Sequence, residues 1–314
     1  MRSRPVLRTV LVAAGLALSL AACGKSDPPA GQTTGETHSI THAMGTTDVP
    51  VTPQRVVVLD TDKLDTTVTL GVTPVGAAVA SQTDLPTYLG DAVGTIQVVG
   101  TTAEPDLEAI EALSPDLILG TKFRQEQFYD ELAAIAPTVF TEKVGITWKE
   151  NFLLDGEALG KKDTATDLLG AYEQRAEDTG EQIKDAADIE VAIVRFMPDH
   201  IRVYGPDSFS GIVIGDVGLD RPDFQKLEGA EDKRFAEVSS EKIDDADGDV
   251  LFYCAYGADA TAALDEVTGG PLWKDMQVVE DGKAYTVNDE VWMTGIGVTA
   301  ANMILDDLAT HLSK

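Results

Sequence analysis

The sequence predicts an α/β protein built as two similar lobes, each around a largely parallel sheet, joined by one long helix. Three observations carry this. From about residue 55, short apolar runs alternate with helical patterns, as strands and crossover helices do. After residue 188 the same alternation returns. Between the two lies "GKKDTATDLLGAYEQRAEDTGEQIKDAAD", where Ala165, Leu168, Leu169, Tyr172 and Ala176 recur at steps of three and four.

The chain begins with a targeting signal. Arg2, Arg4 and Arg8 are followed by the apolar run Val10 to Ala22, with no acid among the first 22 residues. The run is shorter than the roughly 20 apolar residues of a spanning helix. Small residues then lead into Cys23, and residues 23–47, rich in Gly, Pro, Thr and Ser and without an apolar period, read as a flexible leash.

The first lobe is expected over residues 48–158, with strands in "RVVVLD", "TPVGAAV", "IQVVG", "PDLILG" and "PTVF". The linking helix is assigned to 159–187, and the second lobe to 188–314, with strands in "VAIVRF", "DVLFYCAYG" and "KAYTVND". The lobes also share a local pattern. "DLEAIEALSPDLIL" matches "SSEKIDDADGDVLF", with Glu108 eight residues before Asp116 and Glu241 eight before Asp249. Each reads as a short helix, a turn ending in Asp, and a buried strand. A carboxylate near a helix start is favoured by the helix dipole alone, so the pattern admits a purely structural reading.

Composition narrows the function. Basic residues number 24 against 53 acidic ones, a formal charge of −29, which leaves no basic stripe for nucleic acid. Two cysteines are present; Cys254 sits in an apolar run and reads as a buried small hydrophobe. The four histidines form no cluster at metal-ligand spacing, so a bare metal ion is not the expected ligand. "IDDADGD" fails as an EF-hand, since Ile243 and Cys254 would fill the first and twelfth ligand positions. The sequence has no G-x-S-x-G elbow, phosphate loop or H-E-x-x-H, which leaves an anchored surface hydrolase as a remote alternative.

Several stretches carry a family resemblance. "LAAC" resembles the lipobox of bacterial lipoproteins. Together with "TPQRVVVLDTDKLDTTVTLGVTPVGAA", "DLEAIEALSPDLILG" and "PLWKDMQVVEDGKAYTVND", it makes the chain similar to class III substrate-binding lipoproteins of ABC importers for iron–siderophores, haem and cobalamin. The resemblance spans nearly the whole body. It implies a cleft between the lobes, lipidation of Cys23 on the outer face of a bacterial cytoplasmic membrane, a monomeric receptor, and no catalysis. It also implies docking of Glu108 and Glu241 on arginines of a permease dimer.

A ferric siderophore arrives with its iron already saturated by oxygens, so no protein-bound cofactor is expected. The receptor must supply donors and apolar walls, and arginine can donate to two oxygens at once. Lys122, Phe123 and Arg124 follow an apolar strand, where open α/β sheets bind ligands. Arg195 ends a strand in "VRFMPDHIRVYGPDSFSG", with Arg202, Tyr204, Ser208 and Phe209 beyond it. Both stretches resemble segments of hydroxamate and carboxylate-hydroxamate receptors. The resemblance puts Trp292 against the ligand as an aromatic wall, with Trp148 a further cleft candidate and Trp273 packing a helix. The strong negative charge favours a neutral or cationic complex over an anionic catecholate. Haem or cobalamin is the alternative ligand, with Tyr253, Tyr256 or His200 available as an axial ligand to haem.

Overall fold

A computed structural model describes residues 35–80 and 84–313, so the signal run and Cys23 lie outside the described residues. The first element is a hairpin, β1 (Thr37–His42) and β2 (Gly45–Pro50), paired antiparallel. This corrects the leash, which was expected to run to residue 47. Only Ile40 and Val49 of the hairpin turn inward, so its sequence shows no apolar period. Ala43 N–H donates to Phe140 O (2.9 Å) and Thr47 Oγ1 to Thr138 O (3.1 Å), which covers the sheet edge at β7.

The first lobe is a five-stranded parallel sheet in the order β5-β4-β3-β6-β7. Its strands are β3 (Val56–Val58), β4 (Gly76–Val79), β5 (Gln97–Thr101), β6 (Leu117–Thr121) and β7 (Thr138–Thr141). Its helices are α1 (Thr61–Thr69), α2 (Leu107–Ala112), α3 (Lys122–Gln125), α4 (Tyr129–Ile135) and α5 (Trp148–Ala158). The second lobe repeats the plan in the order β10-β9-β8-β11-β12. Here β8 (Val191–Phe196), β11 (Val250–Ala255) and β12 (Ala284–Thr286) run parallel. In contrast, β9 (Ile201–Tyr204) and β10 (Phe235–Val238) are antiparallel, because a short hairpin rather than a crossover follows β8.

The internal repeat has a physical basis. Asp116 accepts the backbone N–H groups of Gln54 and Arg55 (both 2.8 Å), just ahead of β3. Asp249 accepts that of Glu190 (2.9 Å), just ahead of β8. In each lobe the Asp before a buried strand ties down the start of its neighbour.

The linking helix is α6 (Lys162–Gln182), with Ala165, Leu169, Tyr172 and Ala176 buried. It packs on α5 of the first lobe and on α7 (Phe209–Asp216) of the second. The second lobe continues through α8 (Thr261–Gly269), α9 (Pro271–Lys274), α10 (Gln277–Glu280) and α11 (Val298–Leu312). The last of these crosses back to touch α1 and α6. Asp65 of α1 accepts the N–H groups of Thr299 (3.2 Å) and Ala300 (3.1 Å) at the start of α11, where the helix dipole favours a carboxylate. Gly297 makes this approach possible, since a Cβ there would stand 2.2 Å from Asp65 Oδ1.

Beneath the first lobe's binding edge lies a buried ionic knot. Lys63 Nζ donates to Asp155 (2.8 Å), Thr141 (2.8 Å) and Asp62 (3.1 Å), with its side chain wholly buried. Burial pushes the Asp155 carboxyl up to about 6, against the pull of Lys63.

Candidate functional site

The cleft forms where the strand ends of the two sheets face each other. Its centre is a cavity of about 240 Å³. The first lobe contributes Asp60 and Thr61 after β3, Ala80 after β4, Thr102 after β5 and Arg124 after β6. All follow the carboxyl ends of parallel strands, the ligand-binding edge of open α/β sheets. The second lobe contributes Arg195, Met197, Arg202, Tyr256 and the stretch around Met293 to Ile296.

A larger space of about 780 Å³ opens off this centre and shares Thr61, Ala80, Tyr256 and Thr294 with it. At the Phe123 side, a third space of about 230 Å³ lies between Lys143 and Val144 of the first lobe and Asp232 and Arg234 of the second.

Each central arginine is held from behind. Arg124 Nε lies 2.8 Å from Asp60 Oδ2, and its side chain remains 36% exposed and lines the cavity. Asp60 is itself buried, accepts from Thr61 N–H (2.8 Å) and Thr121 Oγ1 (3.0 Å), and caps α1. Burial raises its pKa, while Arg124 pulls it back down.

Arg195 donates Nε and Nη2 to Asp289 (2.6 and 2.7 Å) and Nη1 to Tyr204 Oη (3.3 Å). Its guanidinium also lies 4.4 Å from the Tyr256 ring centre. Arg202 is the cross-strand partner of Arg195 in the β8–β9 ladder, so both project from one face of the sheet. It stacks 4.4 Å from the Phe235 ring centre and approaches Glu237 at 3.9 Å. These carboxylates and rings offset the repulsion between the neighbouring cations.

Of the sequence-predicted contacts, Arg124, Arg195 and Arg202 meet in one cavity. Phe123 stands beside it, 55% exposed and 5.4 Å from Arg234 across the lobe boundary. Lys122 lines none of the three spaces and pairs with Glu142 (3.4 Å).

Five expectations need correction because the side chains are buried. Trp292 is 0% exposed, 4.6 Å from Phe252 between ring centres, and donates Nε1–H to Asp307 (2.7 Å). It cannot wall a ligand. Trp148 packs against Phe209 (5.5 Å) and Tyr172 (5.2 Å), so Trp148 and Phe209 join the lobes at the linking helix. Ser208 caps α7, accepting from Gly211 N–H (3.0 Å), and Tyr204 supports Arg195 with its hydroxyl.

Sequence reasoning singled out no ligand role for Asp60, Thr102, Met197, Arg234 or Met293. Asp60 was legible as a polar residue ending the strand "RVVVLD"; the others carry no local signal. Trp292→Phe should lower stability by about 1.5–3 kcal/mol, the worth of a hydrogen bond to a charged group, in urea unfolding. The same variant should leave ligand affinity unchanged.

The haem candidates also separate. Tyr253 packs on Trp273 (5.0 Å) in the second lobe, and His200 lies outside the three spaces, leaving only Tyr256 in the cleft. Among the described residues, no group of three or more His, Cys, Asp or Glu is placed to hold a metal ion. At its centre the cleft offers a ligand arginine donors and walls, while Asp84, Asp259, Asp289 and Glu290 line the larger space.

Two sheets face each other across the cleft, bridged by α6 and α11, as in two-lobed substrate-binding proteins. The chain belongs to the family described as periplasmic binding protein, which matches residues 56–291. It is 38% identical over 306 residues to the probable siderophore-binding lipoprotein YfiY of Bacillus subtilis (strain 168), covering 94% of each chain. It is 30% identical over 262 residues to the achromobactin-binding periplasmic protein of Dickeya dadantii (strain 3937), covering 82% of this chain and 86% of that one. Among solved structures, Staphylococcus aureus SirA complexed with staphyloferrin B superposes with a TM-score of 0.78 at 32% identity, over 88% of this chain and 98% of that one.

Proposed function

We propose that this protein is a membrane-tethered receptor that captures a ferric siderophore in the interlobe cleft and delivers it to an ABC importer. The observation that carries the reading is the convergence of Arg124, Arg195 and Arg202 from both lobes on one cavity, in a chain of charge −29. Iron-bound oxygens suit the outer edge of Arg124, and Tyr256 and the methionines suit the organic backbone. The relatives named for siderophore binding support the same ligand class.

A hydroxamate or carboxylate-hydroxamate complex fits best, since its oxygens carry little excess charge to be matched. Each central arginine already faces a carboxylate of its own, so a highly anionic catecholate would meet little free positive charge. Cys23 would carry the lipid, and two or more acyl chains would hold the receptor stably at the membrane as a monomer. Calorimetric titration with ferrioxamine, ferric schizokinen, ferric enterobactin, haemin and cobalamin tests the ligand class. Binding of a ferric hydroxamate is expected, and binding of haemin or cobalamin alone would contradict it.

Delivery falls to Glu108 and Glu241. Both are exposed, Glu108 in the first turn of α2 and Glu241 at the matching position of the repeat. Glu108→Arg and Glu241→Arg should each cut cellular uptake of radioactive iron from the loaded siderophore at least tenfold, while the purified variants bind ligand normally. Loss of ligand binding would point to a purely structural role.

The lobes should close only slightly on binding. Besides α6 and α11, Lys149 of α5 reaches Asp216 of α7 (2.8 Å), and Tyr172 of α6 donates to the same carboxylate (2.7 Å).

A further inference from the structure

A single row of charge crosses the second sheet from the ligand cleft outward. Arg195 of β8 is the cross-strand partner of Arg202 of β9, and Arg202 is that of Glu237 of β10. Arg202 lines the central cavity, whereas Glu237 lines a separate surface groove together with Asp199 and His200. The contact between them is loose. Arg202 Nη2 stands 3.9 Å from Glu237 Oε1, beyond hydrogen-bond reach, and the buried Nε has no hydrogen-bond partner among the described residues.

His200 addresses the same oxygen. Its Nε2 lies 3.6 Å from Glu237 Oε1, and its Nδ1 lies 2.6 Å from Asp199 Oδ1. An ionised carboxylate only accepts, so Nδ1 carries the proton and Nε2 of the neutral ring turns a lone pair toward Glu237. This accounts for a buried Nε2 without a hydrogen-bond partner among the described residues. A second proton makes the ring a cation and Nε2 a donor. Glu237 then has a charge-assisted bond to gain on the groove side that Arg202 does not offer on the cleft side. Its side chain is 61% exposed, which leaves it room to swing between the two.

Resting on the receptor reading above, we propose that Glu237 is a positioning residue that sets the charge of the siderophore complex the cleft accepts, and that protonation of His200 resets it. With His200 neutral, Glu237 faces Arg202, offsets its charge and disfavours an anionic complex. With His200 protonated, Glu237 turns to the imidazolium and releases Arg202 to the iron-bound oxygens. The other charges nearby have partners of their own or stand apart. Arg195 is held by Asp289, Arg124 by Asp60, and Arg234, which also approaches Phe235, by Asp232. Glu241 and Glu266 line the groove with His200. By linkage, binding of an anionic complex takes up a proton and strengthens as pH falls.

The test titrates the purified protein with two ferric complexes by calorimetry. Ferrioxamine E is neutral, because its three hydroxamates balance the ferric ion, whereas the α-hydroxycarboxylate of ferric schizokinen leaves that complex anionic. Glu237→Gln should tighten ferric schizokinen about threefold, the scale of an exposed ion pair, and leave ferrioxamine E unchanged. Unchanged ferrioxamine E affinity also shows that the variant folds. Between about pH 8 and about pH 6, where histidine titrates, wild-type protein should gain about threefold more affinity for ferric schizokinen than His200→Gln does. Comparing the two proteins with one ligand cancels the ligand's own titration. In the Glu237→Gln background, His200→Gln should leave the pH profile unaltered. An equal response of the two ligands to Glu237→Gln would overturn the proposal, as would the same gain in Glu266→Gln, which removes a groove carboxylate elsewhere. Superimposable pH profiles for wild type and His200→Gln would overturn it too, and all three results leave the receptor reading standing. Binding of neither complex by wild-type protein would overturn both.

Discussion

Arg124→Ala should weaken binding of the ferric siderophore by about 3 kcal/mol, the worth of one or two charge-assisted hydrogen bonds, and so by roughly 100-fold in calorimetric Kd. Arg124 is less committed than Arg195. Its Nε meets Asp60, while Arg195 has Nε, Nη1 and Nη2 already engaged by Asp289 and Tyr204. Lysine at position 124 would keep the charge and lose the planar fork, so it should restore only part of the affinity. Arg195→Ala is a less direct probe, because it also strands the Asp289 carboxylate and removes the cation stacked on Tyr256. Unchanged affinity in Arg124→Ala would remove the central contact from the proposed site.

The largest loss of stability is expected from Lys63→Met, at about 3–5 kcal/mol in urea unfolding, since removing one partner leaves buried charge uncompensated. Lys63 is wholly buried and faces Asp62 and Asp155, whose Oδ1 atoms have no hydrogen-bond partner. The loss should depend on pH. Burial raises the Asp155 carboxyl to about 6 although Lys63 pulls it down, so without the lysine it rises further. A carboxyl raised in the folded state stabilises fully below its unfolded value and loses that contribution as pH climbs through the folded value. The variant's deficit should accordingly be smaller near about pH 5 than near about pH 7. A deficit independent of pH would mean that Asp155 does not titrate in this range.

The strands of both lobes were legible because each is a short apolar run bounded by turns. The repeat was legible because Asp116 and Asp249 do the same work at the same spacing. The hairpin at Thr37–Pro50 was not, since it buries only Ile40 and Val49 and is held by the edge of another strand. The antiparallel half of the second sheet follows from the Met197–His200 turn, a local reversal between two short apolar runs.

At the site, arginines could be read because they stand out in so acidic a chain and follow apolar strands. The aromatic residues could not be read, because a tryptophan after a strand looks alike in sequence whether it faces a cleft or a core. Trp292 turned inward against Phe252, and Tyr256 took the cleft position. That difference depends on how α11 packs over the sheet, which no local window records.

The proposed cleft receives a siderophore in its iron-bound form. Calorimetric titration of one hydroxamate siderophore, with and without ferric iron, tests it most directly. Arginines fixed from behind by Asp60 and Asp289 suit oxygens already gathered around a metal. The ferric complex should therefore bind with a Kd at least tenfold below that of the iron-free chain. Equal affinity for the two forms, or binding of neither, would rule out recognition of the iron-bound siderophore by this cleft.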